Sequence, residues 1–564
     1  MYKANQKHLQ PLLISNVNDL PEKQRQRLEN SWAGEFYREF FCRIKEDAFS
    51  VLYSDEPSRP NIPVNVLIGL ETLKGGNGWS DEELYDEYNF NLQVRYALGY
   101  QDFREGGFEL RTLYNFRQRL SKYNAEQGVN LVTKAFEAIT DQQIAALKIK
   151  TGIQRMDSTQ IASNILDMSR LQLLVEGLQR MWRILSEAEQ DSYQEWLGEY
   201  VKGSAGQYVY RVKGKEATVT HTQQVGQAIY RLLRETQATY GETPSYQILE
   251  RLLQENFQLT AEEVQVKPNE EIGAGCLQSL DDLEASFRRK GPADFKGYVA
   301  NLAQTCDPEN HLQLITQVQV APNNVNDATL LAEGVADLKE RTGVHTLYTD
   351  GPYGGPTTDE ELDEQQVELF QTGICGKKPS EDKLNLSQFD FTLDEKNKPK
   401  TLTCPNGQEV IVEAGRTTGY IARFDPDICQ TCPFAEQKRC RATPGKRDPR
   451  FKLSFTQQEV NSARRRKRYQ SVKHHGKNPR AAVEAAVRSV KHPFPAGKLP
   501  VRGQFRATCL VVASAAMSNI RSILRYQQQK NGDKQAQTLL SDIFYSILGQ
   551  AIRRFLVSWP CFSF

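Results

Sequence analysis

The sequence predicts an α/β chain, with a mixed sheet flanked, interrupted and followed by helices. Three observations predict it. His311 to Ala321 (H-L-Q-L-I-T-Q-V-Q-V-A) has the composition of a strand, Asn326-Asp327 caps a helix through Leu338, and His345 to Thr349 is a second short strand. From Leu147 to Ile161 (L-K-I-K-T-G-I-Q-R-M-D-S-T-Q-I), apolar residues alternate with polar ones, as in a half-buried strand. Elsewhere apolar residues recur at helical spacing, as at Val66, Leu67, Leu70 and Leu73, and at Leu171, Leu174 and Leu178.

Taken in order, residues 1 to about 55 are polar and irregular, with one helical stretch around Pro21 to Ile44. A helical region follows from Arg59. G-G-N-G at Gly75 to Gly78 is expected to break it, and Ser80-x-x-Glu83 is a capping box that opens the next helix, which buries Leu84, Tyr85 and Tyr88. A helix from Leu110 turns Leu113, Phe116 and Leu120 inward and carries Arg117, Arg119 and Lys122 elsewhere. A basic last helix fits a helix-turn-helix, and equally a plain bundle. The strand from Ala145 ends near Asp157-Ser-Thr. Leu166 to about Cys306 reads as an inserted helical domain, with a short hairpin as one reading of Tyr208 to Thr220. After the second strand come Asp350-Gly-Pro-Tyr-Gly-Gly, an acidic helix (Asp359 to Phe370), a strand at Thr372 to Gly376 and a variable region. Phe505 to about Arg525 is a long apolar helix, and the last 30 residues are helical and basic-apolar.

At 564 residues the chain exceeds one ordinary core, and about two to four domains are expected. Its 39% hydrophobic and 25% charged residues are those of a soluble globular protein. The longest mainly apolar run, Ala507 to Met517, is too short to span a bilayer, and M-Y-K-A-N-Q-K-H lacks the apolar core of a signal peptide. A cytosolic protein with reduced cysteines is expected. The net charge of +1 excludes nothing, but its distribution is uneven. Between Lys438 and Lys491 stand 17 Lys/Arg against three acids, so this segment carries +14. Such a stripe, with R-R-R-K-R at Arg464 to Arg468 inside it, is the electrostatic footprint of a nucleic-acid binder.

Three carboxylates stand out. Asp157 follows one strand, and Asp350 lies at the carboxyl end of another, where open α/β sheets place ligands. Glu484 lies in K-N-P-R-A-A-V-E-A-A-V-R-S-V-K-H, Lys477 to His492. This segment reads as a helix capped by Asn478, with Pro479 at its first position and His492-Pro493 at its end. Val483, Val487 and Val490 form its apolar stripe, while Arg480, Glu484 and Lys491 lie on another face. Each acid has an ordinary reading, as turn, cap or solvated ion pair. Together, two strand acids and a helix acid supply what two-metal phosphodiester cleavage needs, hard oxygen ligands converging from separate elements. Cys404, Cys429, Cys432 and Cys440 fall within 37 residues, with a C-x-x-C among them. They suit tetrahedral Zn²⁺, or remain reduced and unmetallated.

These residues resemble a known family. D-S-T at Asp157, T-D-G-P-Y-G at Asp350, and Arg480, Glu484 and Lys491 at Arg-x3-Glu-x6-Lys spacing resemble bacterial insertion-sequence transposases with an RNase H-like, D-D-E catalytic core. R-P-N-I-P-V, S-D-E-E-L and R-T-L-Y-N-F-R-Q-R-L resemble their N-terminal helical domain, and the cysteine-rich insertion resembles one branch. The family's signature has a tyrosine where this chain has Lys477.

The resemblance implies a magnesium-dependent DNA endonuclease and strand transferase that cuts at transposon ends and joins them to target DNA. Asp157, Asp350 and Glu484 would hold two Mg²⁺ or Mn²⁺. Arg480 and Lys491 would contact phosphates and help keep Glu484 ionised. Arg464, Arg465, Arg466, Lys467, Arg468, Lys473 and Lys477 would track the DNA backbone. Arg117, Arg119 and Lys122 would read the element ends.

The expected layout is an all-α DNA-binding domain (1–140), a catalytic core (145–165 and 307–376), a helical insertion (166–306) and a cysteine-rich insertion (377–452). A basic segment with the third acid (453–495) and C-terminal helices (496–564) complete it. The expected partner is double-stranded DNA, bound by a homodimer in the bacterial cytoplasm at the nucleoid, with no membrane. Alternatives are a structure-specific nuclease, a catalytically silent DNA-binding protein and a zinc-dependent regulator.

Overall fold

The structure is a computed structural model. It describes all residues except 1, 11, 55, 57–60, 261–262, 376–379, 381, 396, 416–418, 446–447, 475–481 and 558–564, and no side chains at 472–474 or 532–557.

Alternation along the chain builds the central sheet. Its strands are β1 (Ile153–Ala162), β4 (Ser286–Lys290), β5 (Ala293–Thr305), β6 (Ile315–Pro322), β7 (Thr346–Thr349) and β8 (Glu368–Gln371). A separate small hairpin holds β2 (Phe257–Leu259) and β3 (Val264–Val266). The central order runs β5, β1, β7, β8, and β4 and β6 share the far edge of β5. β5 is antiparallel to β1, β4 and β6, whereas β7 and β8 run parallel to β1.

Both faces of this sheet are covered. Met156, Leu347 and Leu369 pack with Leu331, Val335 and Leu338 of the helix Asp327–Thr342. That helix starts where expected, capped by Asn326, whose side chain accepts from the Thr329 amide at 2.8 Å. On the opposite face Ile161, Ala300 and Leu302 join Ala486 and Val490 of the helix Val483–Lys491 and Val511 and Ala515 of the C-terminal helix Gln504–Val557.

The same core continues into the N-terminal helices, taking in Phe36, Val66, Leu70, Leu73, Leu113 and Phe136. The N-terminal helices therefore share a core with the sheet and with the chain's last helix, rather than folding around one of their own. The residues Gln504–Asn531 are long and apolar enough to cross a membrane, but 72% of their most apolar window is buried inside the protein. Apolarity here serves core packing.

Several expectations change. The helix Leu131–Leu147 runs on before β1, so the first strand starts at Ile153, not near Ala145. Tyr208 to Thr220 is helical rather than a hairpin, with Ala205–Arg211 and Lys215–Tyr240 on either side of Gly214. β4 and β5 occupy residues expected within the helical insertion, whose helices end at Asn256. β8 precedes the expected strand at Thr372 to Gly376. The variable region is a second, antiparallel sheet: β9 (Asp390–Leu393), β10 (Pro399–Thr403), β11 (Glu409–Ala414), β12 (Tyr420–Phe424), β13 (Thr443–Pro444) and β14 (Phe451–Phe455). Gly75 and Gly76 do not break the chain but lie inside the helix Val64–Asn77, which ends at Gly78 in left-handed backbone.

Candidate active site

Register places the two aspartates. β1 and β7 pair in parallel, with Arg155 opposite Tyr348. Asp157 and Asp350 each lie two residues beyond this pair on neighbouring strands, and side chains two apart on extended backbone share a face. Asp350 is extended, at φ −86° and ψ −176°. Asp157 is buried and Asp350 half-buried.

The loop after Asp350 is tightly held. Gln371 Nε2 donates to the Gly351 carbonyl at 2.7 Å, and a Cβ on Gly351 would stand 2.9 Å from Cys375 Sγ. Glycine is required there by close approach.

The helix of Glu484 packs on the face that carries Asp157. Val483, Ala486 and Val490 are buried and Val487 is half-buried, so the apolar stripe expected from spacing is present and includes Ala486. Ser514 Oγ donates to the Val490 carbonyl at 2.8 Å and fixes this helix to the C-terminal one. Glu484 lies in its first turn and is exposed. The helix ends at Lys491 with His492 as its cap, but His492 keeps helical backbone at φ −52° and ψ −37°, so the proline does not push it out of the helical region as expected. Arg480 and Lys477 lie outside the described residues, as does the expected Asn478 cap.

Lys491 does not point to solvent. Its ammonium donates to the Gln160 carbonyl at 2.9 Å and Thr159 Oγ1 at 3.2 Å. It thus ties the Glu484 helix to the strand of Asp157, two and three residues beyond that acid. Burial lowers its pKa.

The basic helix Gln457–His474 flanks the same face, with the Arg468 guanidinium over the Phe370 ring at 5.9 Å. Its charges have partners inside the chain. Arg465 pairs with Asp359, Lys467 with Asp390, Arg464 with Asp363 at 3.3 Å and Arg468 with Glu368 at 3.1 Å. Burial, then the neighbouring Arg464, lowers the Arg468 pKa. The like-charge repulsion that called for a polyanion is met largely by the acidic helix Pro356–Glu364 and its surroundings. Arg466 has no ion pair among the described residues, and the Lys473 side chain is not described.

The N-terminal cations divide similarly. Arg117 binds Asp81 through both guanidinium nitrogens, at 2.7 and 2.9 Å, and Glu71 at 2.7 Å, so it joins helices instead of facing outward. Arg119 lies 4.9 Å over the Tyr53 ring, and Lys122 is exposed, with Glu126 at 3.7 Å. The capping box at Ser80 and Glu83 is present.

All four clustered cysteines line one cavity of about 20 Å³ within the second sheet's core, beside Phe389, Phe424 and Phe434. Burial, then the neighbouring Cys440, Cys404 and Cys432, pushes the Cys429 thiol up to about 11. Cys404 opens a tight turn, closed by Gly407 N–H to its carbonyl at 2.9 Å. Among the described residues, no group of three or more His, Cys, Asp or Glu side chains stands close enough to hold a metal ion. That holds for the thiols and for the acids. The two aspartates fit a hard divalent cation in donor type and in facing the same way, with Glu484 as a separate exposed carboxylate.

Sequence reasoning missed a buried polar group behind the acids. The Tyr353 hydroxyl donates to Asn301 Oδ1 at 2.6 Å, Asn301 donates to Gln319 Oε1 at 2.8 Å, and Ser158 Oγ donates to Asp327 Oδ1 at 2.8 Å. The T-D-G-P-Y motif contained Tyr353, but its partner depends on strand register.

Two acids on one face of a parallel pair of strands, with a third on a helix over that face, are the donor types that metal-assisted phosphoryl transfer uses. Comparison with known proteins agrees in part of the chain. Residues 403–524 match the family model described as a transposase DDE domain. The match takes in the cysteines, the basic helix and Glu484, and supports a DDE transposase, an enzyme acting on DNA. No curated protein and no solved structure matches the chain.

Proposed function

We propose that the chain is a cut-and-paste transposase in which Asp157, Asp350 and Glu484 form one RNase H-like acid site. The observation that carries this reading is the parallel register of Arg155 with Tyr348, each two residues before an aspartate, on the face over which the helix of Glu484 packs. The strand order β6-β5-β1-β7-β8, three antiparallel and then two parallel, supports the RNase H-like assignment.

Divalent ions held by the three acids would activate the attacking oxygen and offset charge on the leaving one. The chain's own part is to orient. Asp157 and Asp350 are fixed by the sheet, while Glu484 enters from a helix that Lys491 clamps to β1. Arg466, Lys122 and the segment with Lys477 and Arg480 would bear on the phosphates of a bound duplex end. The protein acts as a homodimer, since two ends must be paired.

The four thiols meeting at one cavity are proposed to take up Zn²⁺ by closing on it, supported by their soft donor type and by the turn that carries Cys404. Elemental analysis of the purified chain should find about one zinc per chain. Zinc at a trace level, with the fold intact, contradicts this.

The test of function is incubation of a plasmid carrying the gene and its native flanks with purified protein and Mg²⁺ or Mn²⁺. Release of a discrete fragment and its joining to a second plasmid are expected, both lost in Asp157→Asn. Release without joining favours the nuclease alternative. Flank binding without release favours a silent DNA-binding protein.

A further inference from the structure

We propose that Tyr353 is a positioning residue that sets the Asp350 loop against the strand of Asp157. This role rests on the acid-site reading above.

Asp350 is the last residue of β7's extended path, and β7 pairs with β1 only at 346–348. That ladder stops two residues short of the acids. The chain instead turns through Gly351–Tyr353 and returns Tyr353 beneath the sheet. The Tyr353 side chain is fully buried, and its hydroxyl crosses to Asn301 of β5 at 2.6 Å. Asn301 is the register partner of Ser158, the residue after Asp157. Asn301 is itself fixed from the far side, where its amide donates to Gln319 of β6 at 2.8 Å and Gln319 donates to the Leu330 carbonyl at 2.8 Å. Ser158 is held by Asp327 at 2.8 Å. One hydroxyl therefore connects the loop of one acid to the strand of the other by way of β5.

Tyrosine is the side chain this position calls for. A phenylalanine would fill the same space but leave Asn301 Oδ1 without this donor, and buried polar atoms are normally paired. Burial, followed by the charges of Asp327, Asp157 and Asp350, holds the phenol well above its ordinary pKa. It therefore stays a proton donor to Asn301 throughout the working range. A neutral donor is also what can sit behind a cluster of carboxylates without neutralising their attraction for a cation. Side chains that orient metal-ligating groups from behind change metal affinity by 10–100-fold when altered.

The experiment is Mn²⁺ titration of the full chain followed by electron paramagnetic resonance, comparing the parent, Tyr353→Phe, Asn301→Ala and Asp157→Asn, with thermal melts of each. The expected result is about a tenfold weaker Mn²⁺ affinity in Tyr353→Phe. Cleavage should recover towards the parent rate at saturating Mn²⁺. A merely structural contribution would lower the melting temperature and leave the Mn²⁺ affinity of the folded protein unchanged, and that outcome overturns the proposal. If Tyr353→Phe does not fold, Asn301→Ala, which removes the other end of the same hydrogen bond, carries the same expectation and the same contradiction. Mn²⁺ binding absent from the parent, or equal in parent and Asp157→Asn, overturns the acid-site reading and this role with it. Binding lost in Asp157→Asn but unchanged in Tyr353→Phe overturns this role alone.

Discussion

At the scale of single residues, Arg117 illustrates how a charge acquires its meaning from partners. On a helical wheel it is one of three outward cations. In the fold it bridges Glu71 and Asp81, and Lys74 adds a bond to Asp81 at 2.6 Å. Burial raises the Asp81 carboxyl pKa, but Arg117 and Lys74 outweigh it and hold the group at about 2. A carboxylate lowered in the folded state stabilises the fold above its unfolded pKa near 4 and loses that contribution as pH falls toward 2. Acid melts should therefore show a loss of about 2 kcal/mol across that window, absent in Asp81→Asn. Arg117→Ala should cost about 2 kcal/mol in chemical denaturation while leaving the DNA affinity of the folded protein unchanged. A fall in affinity without loss of stability would return Arg117 to the DNA surface. Asp350 was legible because it follows a strand, and Glu484 because it lies in the first turn of an amphipathic helix; Asp157 was expected near a strand end but lies inside β1, which runs on to Ala162 because it stays paired with β5. Tyr353 and Asn301 were not legible, because their pairing exists only once β5 lies beside β1 in one register.

At the scale of elements, one close helix contact is made by glycines. The helix Val64–Asn77 meets the C-terminal helix so closely that a Cβ on Gly76 would stand 2.0 Å from Met517 Cγ, and one on Gly75 would stand 2.5 Å from Ala513 Cβ. Read locally, G-G-N-G is a break, and its packing role appears only when a helix more than 400 residues away arrives. Gly76→Val should destabilise the protein by about 1–3 kcal/mol through overpacking, measured by urea unfolding. An unchanged midpoint would mean that the two helices are not in contact there. β5 was hidden for a related reason. Its first residues are the exposed Ala293 and Asp294 and the half-buried Phe295 and Lys296, and from Gly297 to Ala303 it is buried on both faces, so it never alternates. The helix of Glu484 was readable because one of its faces is buried and the other exposed, which keeps the 3.6 period visible.

At the scale of the whole molecule, the first helices, the sheet and the last helix share one core, so truncations at either end are expected to disrupt the acid site. The helical insertion has its own core, built on Leu174, Leu178, Val225, Ile229 and Leu249. The second sheet likewise has its own, around Phe389, Leu402 and Phe424. The basic stripe counted from sequence does not survive folding as a bare cationic surface. The acids at 359, 363, 368 and 390 neutralise much of it, although they lie about 75 to 105 residues before their partners and so escaped a local count. The salt dependence of DNA binding should accordingly be shallower than 17 cations would give. Its slope should correspond to well under ten released counterions, measured by binding at several salt concentrations. A slope near the full count would mean that these ion pairs open on DNA.

The central claim is that three acids from separate elements act as one site. The most direct measurement is metal-dependent cleavage of the flanked plasmid by the parent and by Glu484→Gln, a change confined to an exposed carboxylate whose loss leaves the packing of Val483, Ala486 and Val490 intact. The account predicts a discrete fragment from the parent and a loss of at least about a hundredfold in rate for the variant, with DNA binding retained. Equal cleavage by both proteins would contradict it and remove the helix Val483–Lys491 from the site.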